Sequence, residues 1–151
     1  MAKNCCFLAS KIYLSKKTLL IIVEKEEDIK ILDDLLWTYT DDFIPHSSIK
    51  EKDILAKLNP IFICHISEYK NYNLANNIIF FNVSTELVQE FFVQYKSDIL
   101  DSFSTVSWIY KNLKNTIFNI QKFFKNVFPN LEMNFYTKKN NTQWVKNIKN
   151  K

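Results

Sequence analysis

The sequence predicts an α/β domain in which helices cover a mainly parallel β-sheet. Two observations support this prediction. Three short apolar runs, at 18–23, 60–64 and 78–81, have the composition of buried strands, and amphipathic helical patterns follow the first and the third. Strands that alternate with helices form parallel sheets with right-handed crossover connections. The 151 residues, 47% of them hydrophobic, are enough for one core.

The three predicted strands consist almost entirely of aliphatic and aromatic residues, as is typical of strands buried on both faces. Residues 18–23 read Thr-Leu-Leu-Ile-Ile-Val and give the clearest strand. The second strand begins at Pro60, which is tolerated at a first strand position because no ladder donor is needed there. Asparagines and tyrosines between residues 68 and 77 predict a surface connection to the third strand.

Helical spacing marks the connections between strands. Apolar residues recur every three or four positions from Ile29 to Leu36, and acidic residues crowd the start of this segment. The pattern therefore predicts a helix that ends near Trp37. Ser84 or Thr85 can cap a crossover helix. Its apolar stripe consists of Leu87, Val88, Phe91, Phe92 and Tyr95.

The next segment predicts a short edge strand and then a longer helix. Ile99 and Leu100 suit the strand. Ser104 or Thr105 can cap the helix. The apolar positions of this helix are Trp108, Ile109, Leu113, Ile117 and Ile120.

Charge is unevenly distributed along the chain. All 20 basic residues are lysines, and with 16 acidic residues they leave a net charge of +4. Residues 111–151 hold nine lysines and one acid, for a net +8, whereas residues 1–110 carry a net −4. We expect one domain over residues 1–125 and a basic, Lys- and Asn-rich C-terminal extension over residues 126–151. Such a segment attracts polyanions, although a solvated face and a loose tail explain it equally well.

The sequence contains no glycine, which excludes several function classes. A phosphate-cradling loop, a dinucleotide fingerprint and a nucleophile elbow each need backbone positions that a Cβ atom blocks. No apolar run approaches the roughly 18 residues of a membrane-spanning helix, and no signal-peptide pattern opens the chain. The three cysteines show no disulfide or metal-ligand spacing. We therefore expect a cytoplasmic protein without membrane contact.

Catalytic and metal sites find little support in the sequence. Cys64 and His65 could form a thiol–imidazole pair, but alternation along a strand points them to opposite faces, which favours a core thiol beside a surface imidazole. His46 and His65, even with Asp41 and Asp42, make no closed metal-ligand set. We expect no catalytic residue, no metal and no cofactor.

Large aromatic side chains are concentrated between residues 35 and 46, at a helix end and in the loop that follows. Trp37, Tyr39 and Phe43 occur here, ahead of a Pro-His pair. Loops seldom carry three large aromatics unless these pack into the core or serve in binding, and both roles remain open at this point.

The motif Asp-Asp-Leu-Leu-Trp-Thr at 33–38, followed by Phe-Ile-Pro-His at 43–46, resembles the signature of the chi subunit of bacterial DNA polymerase III holoenzyme. On physical grounds alone, the adjacent acids of this motif would be solvated. The order of neighbouring elements agrees with that family from about Leu8 to Lys114. The family begins with a short strand and a full helix, whereas residues 7–13 look like the second half of that helix, so we expect the first strand to be lacking.

The resemblance implies a noncatalytic accessory subunit of the replicase, with a three-layer Rossmann-like fold and no nucleotide-binding loop. In the family, chi binds the psi subunit of the clamp-loader complex through one surface and the acidic C-terminal tail of single-stranded DNA-binding protein through another. Contact with DNA is then mostly indirect. Carried onto this chain, the psi-facing region comprises Trp37, Phe43, Pro45 and His46. The candidates for binding the acidic tail are Trp108, Tyr110, Lys111 and Lys114.

The chemistry of a tail-binding site can be stated independently. An acidic peptide that ends in an aromatic residue and a free carboxylate needs a cationic side chain beside an apolar notch. Tyr110 with Lys111 and Lys114 could provide both. Lysine in place of arginine removes bidentate recognition of the carboxylate, so binding should depend strongly on salt.

A second hypothesis is a basic protein that binds single-stranded nucleic acid. Aromatic residues lie among the lysines of the C-terminal segment, and such a segment can contact single strands by charge and by stacking. These aromatic residues are Phe123, Phe124, Tyr136 and Trp144.

Overall fold

The computed structural model describes residues 1–41, 43–48, 57–110, 117–138 and 144–147, which form one seven-stranded sheet with five α-helices and a short 3-10 helix (Ile66–Glu68). The strands are β1 (Leu19–Val23), β2 (His46–Ser48), β3 (Ile61–His65), β4 (Asn77–Phe81), β5 (Thr105–Ile109), β6 (Glu132–Lys138) and β7 (Trp144–Asn147). The helices are α1 (Ala2–Leu14), α2 (Glu26–Thr38), α3 (Thr85–Gln94), α4 (Lys96–Ser102) and α5 (Ile117–Val127). In these described ranges no helix is long and apolar enough to span a bilayer.

The strand order across the sheet is β2-β3-β1-β4-β5-β6-β7. Every neighbouring pair is parallel except β6 with β7, which confirms the predicted mainly parallel α/β fold. From β1 the chain passes through α2 to β2 and β3 on one side, and then crosses to β4 and continues on the other side. β1 and β4 are therefore the central neighbours at which the chain reverses direction.

Apolar side chains cover both faces of the sheet. On one face the strands pack against α1 and α2, which bury residues such as Ile29 and Leu32, and we call this cluster the α1–α2 core. On the other face α3, α4 and α5 bury residues such as Phe92 and Phe124, and we call this cluster the α3–α5 core. A sheet between two helical layers confirms the three-layer Rossmann-like arrangement.

The first three predicted strands and the first two predicted helices are confirmed, with ends shifted by about one residue. β1 begins at Leu19, and β3 begins directly after Pro60. α2 ends at Thr38, one residue beyond the predicted end. α3 begins at Thr85 and buries Val88, Phe91 and Phe92 in one stripe. The helical pattern at 7–13 belongs to α1, which begins at Ala2.

Two predictions between residues 99 and 120 are wrong. Ile99 and Leu100 lie in α4 and not in a strand, and the segment predicted to begin a long helix forms β5. β5 has a parallel neighbour on each side and is buried on both faces, with Trp108 in the α3–α5 core and Ile109 in the α1–α2 core. Ile109, Ile117 and Ile120 fit helical spacing together with Leu113, so the strand was assigned to one helix with the segment that forms α5. Leu113 lies outside the described residues.

The described C-terminal residues continue the same sheet. The expected boundary between residues 125 and 126 falls inside α5. β6 follows it and pairs with β5 in parallel over five residues, from Glu132 opposite Thr105 to Tyr136 opposite Ile109.

Replacing Trp108 with Ala should lower the free energy of unfolding by about 3–5 kcal/mol, because the side chain leaves a large cavity. Trp108 is 0% exposed, and its indole Nε1 donates a hydrogen bond to the Val83 carbonyl at 3.0 Å. Equilibrium urea unfolding measures the change. The control Val93→Ala, at a side chain that is 69% exposed, should stay within about 0.5 kcal/mol of the parent. A loss below about 1 kcal/mol for Trp108→Ala would contradict its place in the core.

Candidate functional site

The carboxyl end of α2 presents Trp37 to solvent. Ile29, Leu32 and Leu36 of this helix are buried against the sheet at three- and four-residue spacing. Trp37 follows directly after Leu36, so the helical twist turns its side chain away from the core. As a result 57% of Trp37 is exposed.

Phe43 and His46 join Trp37 in one aromatic cluster, which we call the aromatic platform. The ring centroids of Trp37 and Phe43 are 4.7 Å apart. The His46 ring meets Trp37 edge-on at 5.4 Å and lies 6.1 Å from Phe43. Phe43 is 51% exposed, whereas His46 is buried beneath it and Pro45 is partly buried. The structure thus brings the predicted psi-facing residues together on one surface.

The His46 imidazole is fixed by contacts on two sides. Its Nδ1–H donates to the Ile44 carbonyl at 2.6 Å, and its Nε2 lies 3.4 Å from Oδ1 of Asp33. The Ile44 side chain is itself only 2% exposed and belongs to the α1–α2 core. The loop that carries Phe43 is therefore anchored to the core, and the two exposed rings rest on a fixed base.

Asp33 is a contributor that the sequence interpretation missed. We interpreted the two adjacent acids as solvated, yet only 31% of the Asp33 side chain is exposed, and the carboxylate faces His46. A usable signal was present, because Asp33 and Trp37 are four residues apart and share one face of the helix. Asp34 and Asp41 are exposed close to Trp37 in the chain, and the stretch 33–48 contains no lysine, so the described charges beside the aromatic platform are acidic.

The edge at which the parallel strands end, here called the carboxyl edge, is filled by the chain's own side chains between β1 and β4. In doubly wound sheets a ligand crevice forms where the chain reverses direction. Here the Glu24 carboxylate accepts the backbone N–H of Ser84 at 2.7 Å, at the start of α3. Asn82 donates to the Asp28 carboxylate at 3.0 Å. Negative charge therefore occupies the position that a nucleotide phosphate would take in such a fold.

Cys64 and His65 do not form a reactive pair. The Cys64 thiol lies in the α3–α5 core at 0% exposure. His65 is partly buried, and its imidazole Nε2 lies 2.7 Å from the Glu24 carbonyl, to which it donates. Burial raises the pKa of Cys64 to about 12, which suppresses the thiolate that nucleophilic attack requires. The arrangement is the core thiol beside a surface imidazole that alternation favoured.

The two histidines lie at opposite ends of neighbouring strands. His46 opens β2, and His65 closes β3. Asp42 lies outside the described residues. Across the part of the chain that the structure describes, no group of three or more His, Cys, Asp or Glu side chains could hold a metal ion.

The region that contains the aromatic platform also matches a known family. The family model of the DNA polymerase III chi subunit, HolC, matches residues 1–105, more than two-thirds of the chain. The chain belongs to the DNA polymerase III chi subunit family. No curated protein sequence matches it significantly. The match covers the aromatic platform completely and ends at the first residue of β5, which confirms the resemblance found in the sequence.

The described residues among those predicted to bind the acidic tail differ in how deeply they are buried in this chi family member. Trp108 is fully buried and cannot reach a peptide on the surface. Tyr110 follows β5 and is partly buried, with its backbone N–H bonded to the Tyr136 carbonyl at 3.4 Å. Lys111 and Lys114 lie outside the described residues.

The C-terminal aromatics proposed for stacking on nucleic acid are largely engaged in packing. Phe124 is 1% exposed in the α3–α5 core, and Phe123 packs against the same cluster. Tyr136 is partly buried against the α1–α2 core. Trp144 lies in β7. Of these four aromatics, the three whose side chains are described contribute to the fold.

A cavity of about 250 Å³ lies between α5 and β6, beyond the family match. Six of its eight lining residues are apolar, polar atoms make up about half of its exposed lining, and Lys125 supplies a cation. Sequence reasoning missed it because the walls come from a helix and a strand that only the fold brings together. The lining residues are Gln121, Phe124, Lys125, Phe128, Pro129, Leu131, Met133 and Phe135.

The buried cysteines should make the chi family member lose stability in alkali. Burial raises the pKa of Cys6 to about 11 and that of Cys64 to about 12. Unfolded thiols titrate near pH 8.5, so above that pH the unfolded chain releases protons that the folded chain keeps. The contribution of these thiols to the free energy of unfolding is therefore fully present below about pH 8.5. It is lost as the pH rises, by up to about 1.4 kcal/mol per pH unit for each thiol.

Urea unfolding at a series of pH values from about 8 to 10.5 measures this slope. In the variant Cys64→Ala the free energy of unfolding should fall less steeply with pH than in the parent, because one thiol with a raised pKa is gone. An identical slope in both proteins would contradict a contribution from Cys64. Comparing slopes rather than absolute stabilities removes the cost of the cavity that the variant leaves.

Proposed function

We propose that the chain is a noncatalytic accessory subunit of the bacterial replicative DNA polymerase. It links the clamp-loader complex to single-stranded DNA-binding protein during DNA replication in the cytoplasm. The chi family match supports its membership of the polymerase III holoenzyme. The observation that carries the linking role is the aromatic platform, a preformed surface of exposed rings inside the matched region.

The platform has the chemistry of a protein-binding hot spot. Trp37 and Phe43 each keep about half of their surface in water. A partner that covers them would remove a large apolar area from water, which favours binding. His46 and Ile44 fix the base beneath the rings, so little conformational freedom is lost on binding. The partner that we assign to this surface is the psi subunit or an equivalent clamp-loader component.

The second partner that we propose is the acidic tail of single-stranded DNA-binding protein. The cavity between α5 and β6 offers an apolar notch beside Lys125, which is the chemistry that such a tail needs. Tyr110 with Lys111 and Lys114 remains the position predicted from the sequence. Tyr110 follows the carboxyl end of β5, whereas the cavity is lined by α5 and by residues from Leu131 to Phe135, so Tyr110 is not part of the cavity.

Direct nucleic-acid binding is the alternative function. It requires aromatic side chains that are free to stack. Phe124 is in the core and Phe123 and Tyr136 are partly buried, so the packing favours contact with DNA through the protein partners.

Trp37→Ala should weaken binding to the psi subunit of the same bacterium by at least about 30-fold, as expected for loss of a central aromatic contact of about 2 kcal/mol. Isothermal titration calorimetry of the purified proteins measures the affinity. Because more than half of Trp37 is exposed, circular dichroism should show an unchanged fold.

Phe7→Ala is the matched control for this variant. Phe7 is an aromatic side chain of α1 that is 50% exposed and makes no ring contact with the platform residues. Its replacement should leave the affinity unchanged. Equal affinities for parent and Trp37→Ala would contradict the role of the platform.

Lys125→Gln should weaken binding of a labelled peptide that copies the acidic tail by about three- to tenfold, because it removes the cation that lines the cavity. Fluorescence anisotropy at low and moderate salt measures the binding, which should weaken as salt rises. Lys122→Gln, on the same helix but outside the cavity lining, is the control.

The variant Lys111→Gln/Lys114→Gln tests the other position in the same assay. A loss confined to that variant would move the tail site to Tyr110 and contradict the cavity. Absence of peptide binding by folded protein, together with tight binding of an unlabelled single-stranded DNA competitor, would instead support the nucleic-acid-binding alternative.

A further inference from the structure

Three leucines at one end of the molecule are unusually exposed. Leu14 is 74% exposed, Leu58 is 75% exposed and Leu74 is 84% exposed. Leu14 ends α1, while Leu58 and Leu74 lie in the connections that lead into β3 and β4. All three therefore lie where parallel strands begin, which we call the amino edge.

The aromatic platform lies at the same edge. α2 returns the chain from the end of β1 to the start of β2, so its last turn carries Trp37 to the amino edge beside His46. Of the nine large apolar side chains that the described residues expose, six therefore lie at or close to this edge. They are Leu14, Trp37, Phe43, Leu58, Leu74 and Leu100, the last of which lies in the final turn of α4 before β5.

Asparagine side chains join the platform to the leucines. Asn59, the residue after Leu58, donates to the His46 carbonyl at 3.4 Å. Asn73, the residue before Leu74, donates to the Asn59 carbonyl at 3.3 Å and to the Leu19 carbonyl at 3.1 Å. The connections before β2, β3 and β4 are thus tied into one continuous surface.

Leu74 has a backbone conformation that does not suit leucine. Its φ angle is +50°, in the left-handed region that favours glycine and asparagine. Asn82 occupies the same region, with φ of +56°. An asparagine at position 74 would serve the fold at least as well, so the structural role of this residue does not explain an exposed aliphatic side chain.

We propose that the partner-binding surface extends from the aromatic platform along the amino edge across Leu58 and Leu74, and that one continuous amphipathic segment of the clamp-loader partner covers it. This inference rests on the proposed function of the platform. From β2 to β4 the surface spans three strand spacings, or about 14 Å, which a helix of about ten residues covers.

Charges at the two ends of the surface define the partner segment further. The end beside Trp37 is acidic, through Asp33, Asp34 and Asp41. The end beside the leucines carries the exposed Lys16, Lys17 and Lys57. Farther along the edge, the exposed Asp101 precedes β5, so the basic region of the surface ends before β5. The segment that fits has an apolar stripe, with basic residues at one end and acidic residues at the other.

The test uses the variants Leu58→Asn and Leu74→Asn with the psi-containing clamp-loader complex of the same bacterium, in biolayer interferometry. Each variant should weaken binding about tenfold or more, because an apolar side chain no longer becomes buried. Leu74→Asn should fold with undiminished thermal stability, since asparagine tolerates its φ angle. Val93→Asn, at a side chain of α3 that is 69% exposed, is the matched control and should bind like the parent.

The outcomes separate the two proposals. If Trp37→Ala weakens binding but both leucine variants bind like the parent, the extended surface is wrong and the platform stands. If Trp37→Ala also binds like the parent, or the parent does not bind, the proposed function is wrong and the extension fails with it. Equal losses in Val93→Asn would show nonspecific apolar association and would overturn the extended surface.

Association rates test the charge pattern in the same experiment. Asp34→Asn and Lys57→Gln should each slow association several-fold at low salt, and the difference should disappear at high salt. Unchanged rates at low salt would overturn the proposed charges of the partner segment.

Discussion

The double burial of β1 is the constraint from which the rest of the structure follows. All five of its residues, Leu19–Val23, are 0% exposed, and β3 and β4 pair with it on either side. Its side chains alternate between the α1–α2 core and the α3–α5 core, so a helical layer must cover each face. Because α2 has to return from the end of β1 to the start of β2, its last turn lies at the amino edge. That return places Trp37 where the aromatic platform forms.

The two edges of the sheet serve different purposes. At the carboxyl edge, where related folds hold ligands, Glu24 and Asp28 form hydrogen bonds with the segment between β4 and α3. At the amino edge, turns are built without glycine and are held by asparagine side chains, of which Asn73 is buried. The exposed apolar side chains Leu58 and Leu74 lie next to the asparagines that hold this backbone in place. The exposed aromatic and aliphatic side chains of this chi family member are therefore concentrated at the edge opposite the usual ligand crevice.

Prediction from the sequence succeeded where a local pattern fits only one kind of secondary structure. It failed where the same pattern fits both a helix and a strand. The acidic start and apolar stripe of α2 allow only an amphipathic helix, and its end was predicted to within one residue. β5 was mistaken for a helix because Ile109 fits helical spacing with the apolar residues of the segment that follows, and β2 was missed because His46–Ser48 is short and polar. At the site, resemblance supplied the four residues predicted to face psi, but it did not reveal that Asp33 faces His46.

The sequence by itself determined the α/β class, the central strands and the position of the aromatic motif, because hydrophobic periodicity and motif spacing are local properties of the chain. The tertiary structure decided which of those aromatics are exposed and which pack into the core. Trp37 and Trp108 both lie among apolar residues in the sequence, yet one is 57% exposed and the other is 0% exposed. It also brought Leu58 and Leu74 to the same edge as Trp37. Burial and proximity depend on contacts between residues far apart in the chain, which no local pattern specifies.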